Sequence, residues 1–208
     1  LVRLASLDDA ETSDVDESAW AGNAVAAAEI ARVERADIIW IAGGDQLRLT
    51  DLLLDERGQA TPMLDSLRQK LANGAVIAGT SAGAAVMSDP MIGRGESMAA
   101  LLDDAAFGEP LRVVGGLGFF AEALVDQHFD SSARLGRLAV AIGTLPGSRR
   151  VGLGIDENTA VFLRPGTGSL RVLGAGTVTI LDGREAHWRQ SPAGYEIRGL
   201  RISVAASG

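Results

Sequence analysis

The sequence predicts an α/β fold: a mostly parallel sheet flanked by helices, with a β-rich C-terminal extension. Three observations carry this. Short apolar runs closed by glycine or polar residues alternate with longer amphipathic stretches over the first 150 residues, the pattern of strands joined by crossover helices. After that the pattern changes to "VGLGID", "TAVFLR", "SLRVLGAG", "TVTILDG", "AHWRQ" and "YEIRGLRISV", short alternating runs separated by turns. Finally, 208 residues at 47% hydrophobic and 22% charged suffice for one core and fit a single domain over 1–208.

The elements follow in order. "LVRLASL" predicts a short strand over 1–7. "DDAETSDVDES" carries Asp8, Asp9, Glu11, Asp14, Asp16 and Glu17 without the ligand spacing or turn glycine of a calcium loop, and reads as a solvated loop. Strong helix formers predict a helix over 21–36, and "DIIWIAGG" a buried parallel strand closed by glycines. "QLRLTDLLL" reads as helical. In "TPMLDSLRQKLANG", Thr61 suits the N-cap, Pro62 the first helical position and Gly74 the stop, with Met63, Leu64, Leu67 and Leu71 on one stripe. "AVIAG" is a second buried strand, and "AGAAVMSD" begins a helix that Pro90 ends. Residues 91–110 read as a loop-rich insertion. "AEALVDQHF" (121–129) is a strand with a polar end, and Leu135, Leu138, Ala139 and Ile142 have the spacing of a helix after it.

Composition narrows the function. A formal net charge of −8 argues against general binding to nucleic acid or anionic membranes, and the apolar runs fall short of the ~20 residues that span a bilayer. The absence of cysteine removes disulfides, thiolate metal sites and cysteine nucleophiles together. Two histidines, His128 and His187, are the candidates for a neutral-pH base, and two distant histidines without a motif predict no metal site. "LVRLASL" reads as the middle of a longer chain, so a preceding segment is expected; the location expected is cytoplasmic.

The stretch "VIAGTSAGAAVM" carries the chemistry. G-x-S-x-G after a strand and into a helix is the setting of a nucleophile elbow, with Ser81 at its tip; the alternative is close packing of small residues where strand meets helix. A serine needs a base. His128 lies just past a strand, where open α/β sheets keep their sites, whereas His187 sits in the β-rich tail beside Trp188. An acid must fix the imidazole tautomer. Asp156 and Glu157 end a strand and spacing does not choose between them, while Asp126, two residues before His128, is a third candidate expected to orient with it or hold substrate. The order serine, histidine, acid differs from that of α/β-hydrolases, so a triad here is convergent. "GGDQ" offers backbone N–H groups from Gly43 and Gly44 to an oxyanion beside that of Ala82. Arg134 and Arg137 share a helix face and suit carboxylate recognition. A non-catalytic alternative is an anion-binding module in which "GGDQ" and "GTSAG" cradle the ligand.

"GGDQLRL", "AGTSAGAA", "VDQHF…R..RL" and "GIDENTAVF" together resemble, in order, the motifs of the cyanophycinase-like serine peptidases, a family that includes aspartyl dipeptidases and shares the class I glutamine-amidotransferase-like α/β sandwich. The resemblance runs from about residue 30 to 180, and the family's first strand is absent. It implies Ser81 as nucleophile, His128 as base and Glu157 as acid, with Gln46, Asp126, Gln127, Arg134 and Arg137 contacting substrate. It further implies an aspartyl-rich peptide or polymer substrate, β-aspartyl-arginine products, no cofactor and a homodimer, with α-aspartyl or isoaspartyl dipeptides as the alternative substrates. One departure stands out: Ser132 occupies a position where the family pattern has arginine. Loss of a charged donor costs about 1.5–3 kcal/mol, which bears on substrate choice more than on the chemistry.

Overall fold

The computed structural model describes residues 1–8, 14–164, 167 and 169–208. Helices and strands are mixed along the chain, and contacts gather into two compact units: Leu1–Met87 with Gly115–Phe119, and Ser88–Val114 with Phe120–Gly208. No helix among the described residues is long and apolar enough to cross a membrane. Asp9 and Glu11 of the acidic run lie outside the described residues; Asp8, Asp14 and Asp16 are exposed.

The first unit holds α1 (Ala27–Glu34), β1 (Ile38–Ile41), α2 (Gln46–Leu53), α3 (Pro62–Ala72), β2 (Val76–Gly79) and α4 (Ala82–Ala85). β1 and β2 pair in parallel, Ile38 opposite Val76 and Ile41 opposite Gly79. α3 follows its punctuation: Thr61 accepts from the Leu64 N–H, Pro62 opens the helix, and Gly74 beyond its end adopts φ 93°. Its Met63, Leu64 and Leu67 are buried and Leu71 half-buried. Four expectations change. β1 and β2 pair in parallel but are not buried strands, since Ile38, Trp40 and Val76 are exposed. Leu1–Leu7 forms no strand; the Arg3 carbonyl is taken by the Asn23 side-chain amide (2.7 Å) and the Arg3 guanidinium lies over Trp20. The helix expected over 21–36 is broken, because Glu17–Ala24 winds as a tighter 3-10 turn, capped by Asp16, before α1 begins. The helix after Ser81 lasts one turn and ends well before Pro90.

The second unit contains β3 (Met91–Arg94), α5 (Ser97–Leu102), β4 (Arg112–Val114), β5 (Leu124–Asp126), α6 (Leu135–Gly143), β6 (Val151–Ile155), β7 (Thr159–Arg164), β8 (Ser169–Gly174), β9 (Thr177–Asp182), β10 (His187–Ser191), β11 (Gly194–Arg198) and β12 (Arg201–Ala206). The stretch read as a loop-rich insertion thus contains β3 and α5. The main sheet runs β12–β9–β6–β5 and is mixed rather than mostly parallel. β5 and β6 are parallel, with α6 as the crossover helix such pairs require. β6–β9 and β9–β12 are antiparallel, each reached through an intervening hairpin, β7–β8 or β10–β11.

β6 explains how α6 seats. A side-chain carbon at Gly152 would come within 2.9 Å of Leu138 and 3.1 Å of Ile142, and one at Gly154 within 2.5 Å of the Phe129 ring. The glycines of "VGLGI" therefore clear one face of the strand for the helix and for Phe129. Leu124, Leu138, Ile142 and Leu181 form the fully buried centre of this core. From the other side, the Trp188 indole donates to the Ala139 carbonyl (3.0 Å) and packs on Gly143 and Gly183, with Arg150 over its ring.

Ala133 holds φ 48°, a conformation that costs an L-residue more than glycine, and its side chain is exposed. Ala133→Gly is expected to stabilise the protein by about 0.5–1 kcal/mol, read from urea unfolding; an unchanged or lower midpoint would show that the turn carries no such strain.

Candidate active site

Five non-glycine residues among those described adopt positive φ: Ser81, Asp103, His128, Ala133 and Asn158. Two of them, Ser81 and His128, are candidate site residues and a third, Asn158, directly follows Glu157. Such conformations cost on the order of 1–3 kcal/mol each and persist where surrounding structure imposes them.

In the first unit, Ser81 has φ 53° and ψ −121°, a region ordinarily left to glycine, and sits between β2 and α4. The Gly83, Ala84 and Ala85 N–H groups bond back to the Thr80 and Ser81 carbonyls and close the turn. The small residues are obligatory. A side-chain carbon at Gly79 would lie 2.1 Å from the Gly83 carbonyl oxygen, and one at Gly83 would lie 2.2 Å from that of Ile41. Close packing and a sharp elbow are one device here: glycines let the helical turn press on the strand ends, and that pressure lifts the serine. Gly43 adjoins the serine, since a carbon added there would meet Ser81 Cβ at 3.1 Å and Oγ at 3.5 Å. Gly44 follows at φ 132°, and Asp45 caps α2 by accepting from the Leu47 N–H (2.8 Å), which sets Gln46 in the first turn of that helix. Ala82 is buried.

In the second unit, β5 delivers Asp126, Gln127 and His128 in succession. The His128 turn is pinned by Phe129, which is buried on Gly154 and donates its N–H to the Ile155 carbonyl (3.1 Å). His128 Nδ1 is hydrogen-bonded to Glu157 Oε1, with both side chains about half-buried. Asp156 turns away: its carboxylate accepts from the Thr177 N–H (2.9 Å) and hydroxyl (2.6 Å), tying β6 to β9. The carboxylate on the imidazole is therefore that of Glu157, a selection that alternation along a strand left open. His187 lies exposed in β10.

Asp126 is 1% exposed and paired in bidentate fashion with Arg137, whose Nε lies 2.8 Å from Oδ2 while Nη2 donates to Oδ1. Arg137 Nη1 donates to the Gly95 carbonyl (2.7 Å), so the guanidinium joins β5, α6 and the loop after β3. Arg134 donates to the Gln127 carbonyl (2.6 Å) and side-chain oxygen (3.0 Å) and stands 3.7 Å from Asp126. Burial first, then the Arg137 charge, lowers its guanidinium from the usual range. Ser132 is exposed, and its N–H closes the turn on the His128 carbonyl (3.1 Å).

Two residues not singled out from the sequence touch this arrangement. Asp130 Oδ1 accepts from the Glu157 N–H (3.0 Å), and the Ser131 hydroxyl reaches Glu157 Oε1 (3.3 Å). Their signal was present as turn chemistry, since "FDSS" is a cluster of short polar side chains of the kind that bond to nearby backbone.

A family model described as peptidase family S51 matches residues 15–170. Among curated proteins, the chain is similar to several named cyanophycinase. With that of Trichormus variabilis it shares 40% identity over 188 residues, covering 86% of this chain and 57% of the relative. With that of Geminocystis herdmanii it shares 44% over 157 residues, covering 73% and 52%. With that of Synechococcus elongatus it shares 42% over 160 residues, covering 76% and 46%. The chain thus spans about half the length of the curated relatives it matches. Among solved structures it is similar in fold to a peptidase from an acI-B1 Actinobacterium, with TM-score 0.58, 24% identity, and coverage of 86% of this chain and 60% of that one.

The buried ion pair makes a stability prediction. Arg137→Met alone strands the Asp126 carboxylate and is expected to cost about 3–5 kcal/mol in urea unfolding, whereas adding Asp126→Leu recovers most of the loss. Equal costs for the single and double variants would mean that packing, not charge pairing, sets the site's stability.

Proposed function

We propose that this chain, which belongs to peptidase family S51, is a serine peptidase that hydrolyses aspartyl amide bonds, with the aspartyl-arginine polymer cyanophycin as its substrate. The observation that carries the reading is the His128–Glu157 pair. With Nδ1 engaged by a carboxylate, the imidazole keeps its proton there and presents Nε2 as the base. Support from the other unit is the glycine-like conformation forced on Ser81 beside Gly43.

In this reading Ser81 Oγ attacks the scissile carbonyl carbon and its proton passes to His128 Nε2. Glu157 stabilises the imidazolium so formed. The carbonyl oxygen gains the negative charge and is met by backbone N–H groups of the Gly43–Gly44 turn and Ala82. Collapse breaks the C–N bond, and the departing amine takes the proton from Nε2. Water then gives a proton to His128 and its oxygen to the acyl carbon; the ester C–O bond breaks, Ser81 recovers its proton, and the product leaves as a carboxylate. Gln46, Gln127 and Arg134 hold the substrate's polar groups, and the buried Asp126–Arg137 pair fixes the strand end that carries Gln127. The names of the curated relatives support the polymer, while Ser132 removes one cation from the recognition segment and favours the smaller aspartyl dipeptides as the second reading.

Amine release from cyanophycin and from α- and β-aspartyl dipeptides tests both. Ser81→Ala is expected to lower turnover by about 10⁴-fold or more and to abolish labelling by a fluorophosphonate probe. Glu157→Gln, which cannot stabilise an imidazolium, is expected to cost ~10³–10⁴-fold in kcat. Hydrolysis of dipeptides alone would replace the polymer by the second reading. A wild-type protein silent on every substrate and unlabelled by the probe would sink the peptidase reading.

A further inference from the structure

We propose that Asp130 is a positioning residue of the His128–Glu157 pair, and that with Ser131 it turns the loop after β5 into a clamp on the loop after β6. The inference rests on the hydrolytic reading above.

Four consecutive residues of one loop grip two residues of the other segment, Ile155 at the end of β6 and Glu157 beyond it. His128 Nδ1 meets Glu157 Oε1, and the Phe129 N–H donates to the Ile155 carbonyl (3.1 Å). Asp130 Oδ1 accepts from the Glu157 N–H (3.0 Å), and the Ser131 hydroxyl donates to the Glu157 oxygen that also faces the imidazole (3.3 Å). Glu157 is about half-exposed and has no core to hold it. Its carboxylate would otherwise sample several rotamers, each costing conformational entropy to restrict. Fixing its backbone through Asp130 and its carboxylate through Ser131 restricts it without burial and keeps it in register with Nδ1.

Asp130 also contributes charge. The Glu157 N–H, then the Ser131 N–H and the His128 charge, hold its carboxyl below the usual carboxylate range, so it is ionised at neutral pH. Facing this assembly are Glu157 from the loop after β6, Asp130 from the histidine's own turn, and Arg134, which acts on Glu157 from the entry to α6. A second negative neighbour favours the imidazolium that forms as Ser81 gives up its proton.

The test pairs kinetics with proton NMR of the imidazole Nδ1–H. The chain has only two histidines, so His187→Gln assigns the His128 signal without touching the site. Asp130→Ala is expected to lose that downfield resonance and about 10–100-fold in kcat, with KM changed by less than about threefold. Asp130→Asn keeps an oxygen on the Glu157 N–H, so the resonance should persist while the acid limb of the pH–rate profile moves to lower pH. Persistence of the resonance together with wild-type kcat in Asp130→Ala overturns the proposal, as does an unmoved acid limb in Asp130→Asn. Should the wild-type protein hydrolyse none of the substrates, the peptidase reading fails and the resonance alone decides: its loss in Asp130→Ala supports the clamp, its persistence overturns it.

Discussion

The second unit is organised around a charge that cannot be left alone. Asp126 ends a three-residue strand with every residue buried, and an isolated carboxylate there would cost several kcal/mol. Arg137 answers with a bidentate fork and spends its remaining nitrogen on the Gly95 carbonyl. One guanidinium thereby fixes the end of β5, the first turns of α6 and the chain leaving β3. Gln127 and His128 are the residues immediately beyond this anchor. Their placement is a consequence of where Asp126 is held, and Arg134 reinforces it by closing on the Gln127 backbone and side chain.

Both units then use the same local device. A strand ends, the next residues are forced into a left-handed or glycine-like conformation, and a polar side chain is lifted from the strand end. For Ser81 the force comes from backbone contact through Gly79 and Gly83; for His128 it comes from Phe129 stacked on Gly154. In each case the neighbouring glycine allows the close approach, and the candidate site residue bears the unfavourable φ. Strain is placed at the candidate site residues and compensated by packing one or two residues away.

Local rules made much of this legible. Thr61, Pro62 and Gly74 mark the limits of α3, and "VIAGTSAG" its strand, elbow and helix, because capping and glycine chemistry act within a few residues. The tail's strands were readable from alternation. What was not readable depends on distant partners. The mixed β12–β9–β6–β5 order requires knowing that hairpins return the chain antiparallel, and Leu1–Leu7 has the pattern of a strand with no strand beside it among the described residues. β3 and α5 were hidden because Gly93, Gly95 and Gly108 break the periodicity around them. The choice of Glu157 over Asp156 turned on Thr177, twenty or so residues downstream, whose hydroxyl draws Asp156 away.

Trp188 gives the β-rich tail a bearing on time as well as shape. α6, which carries Arg137, is held from one side by the indole, seated on Gly143 and Gly183 and bonded to the Ala139 carbonyl. A ribosome delivers the chain from its N-terminus at about 5–20 residues per second. His128 and Glu157 have thus been synthesised before the indole that packs on α6 exists. The nascent chain holds both residues of the imidazole–carboxylate pair while one support of α6 is still to be made.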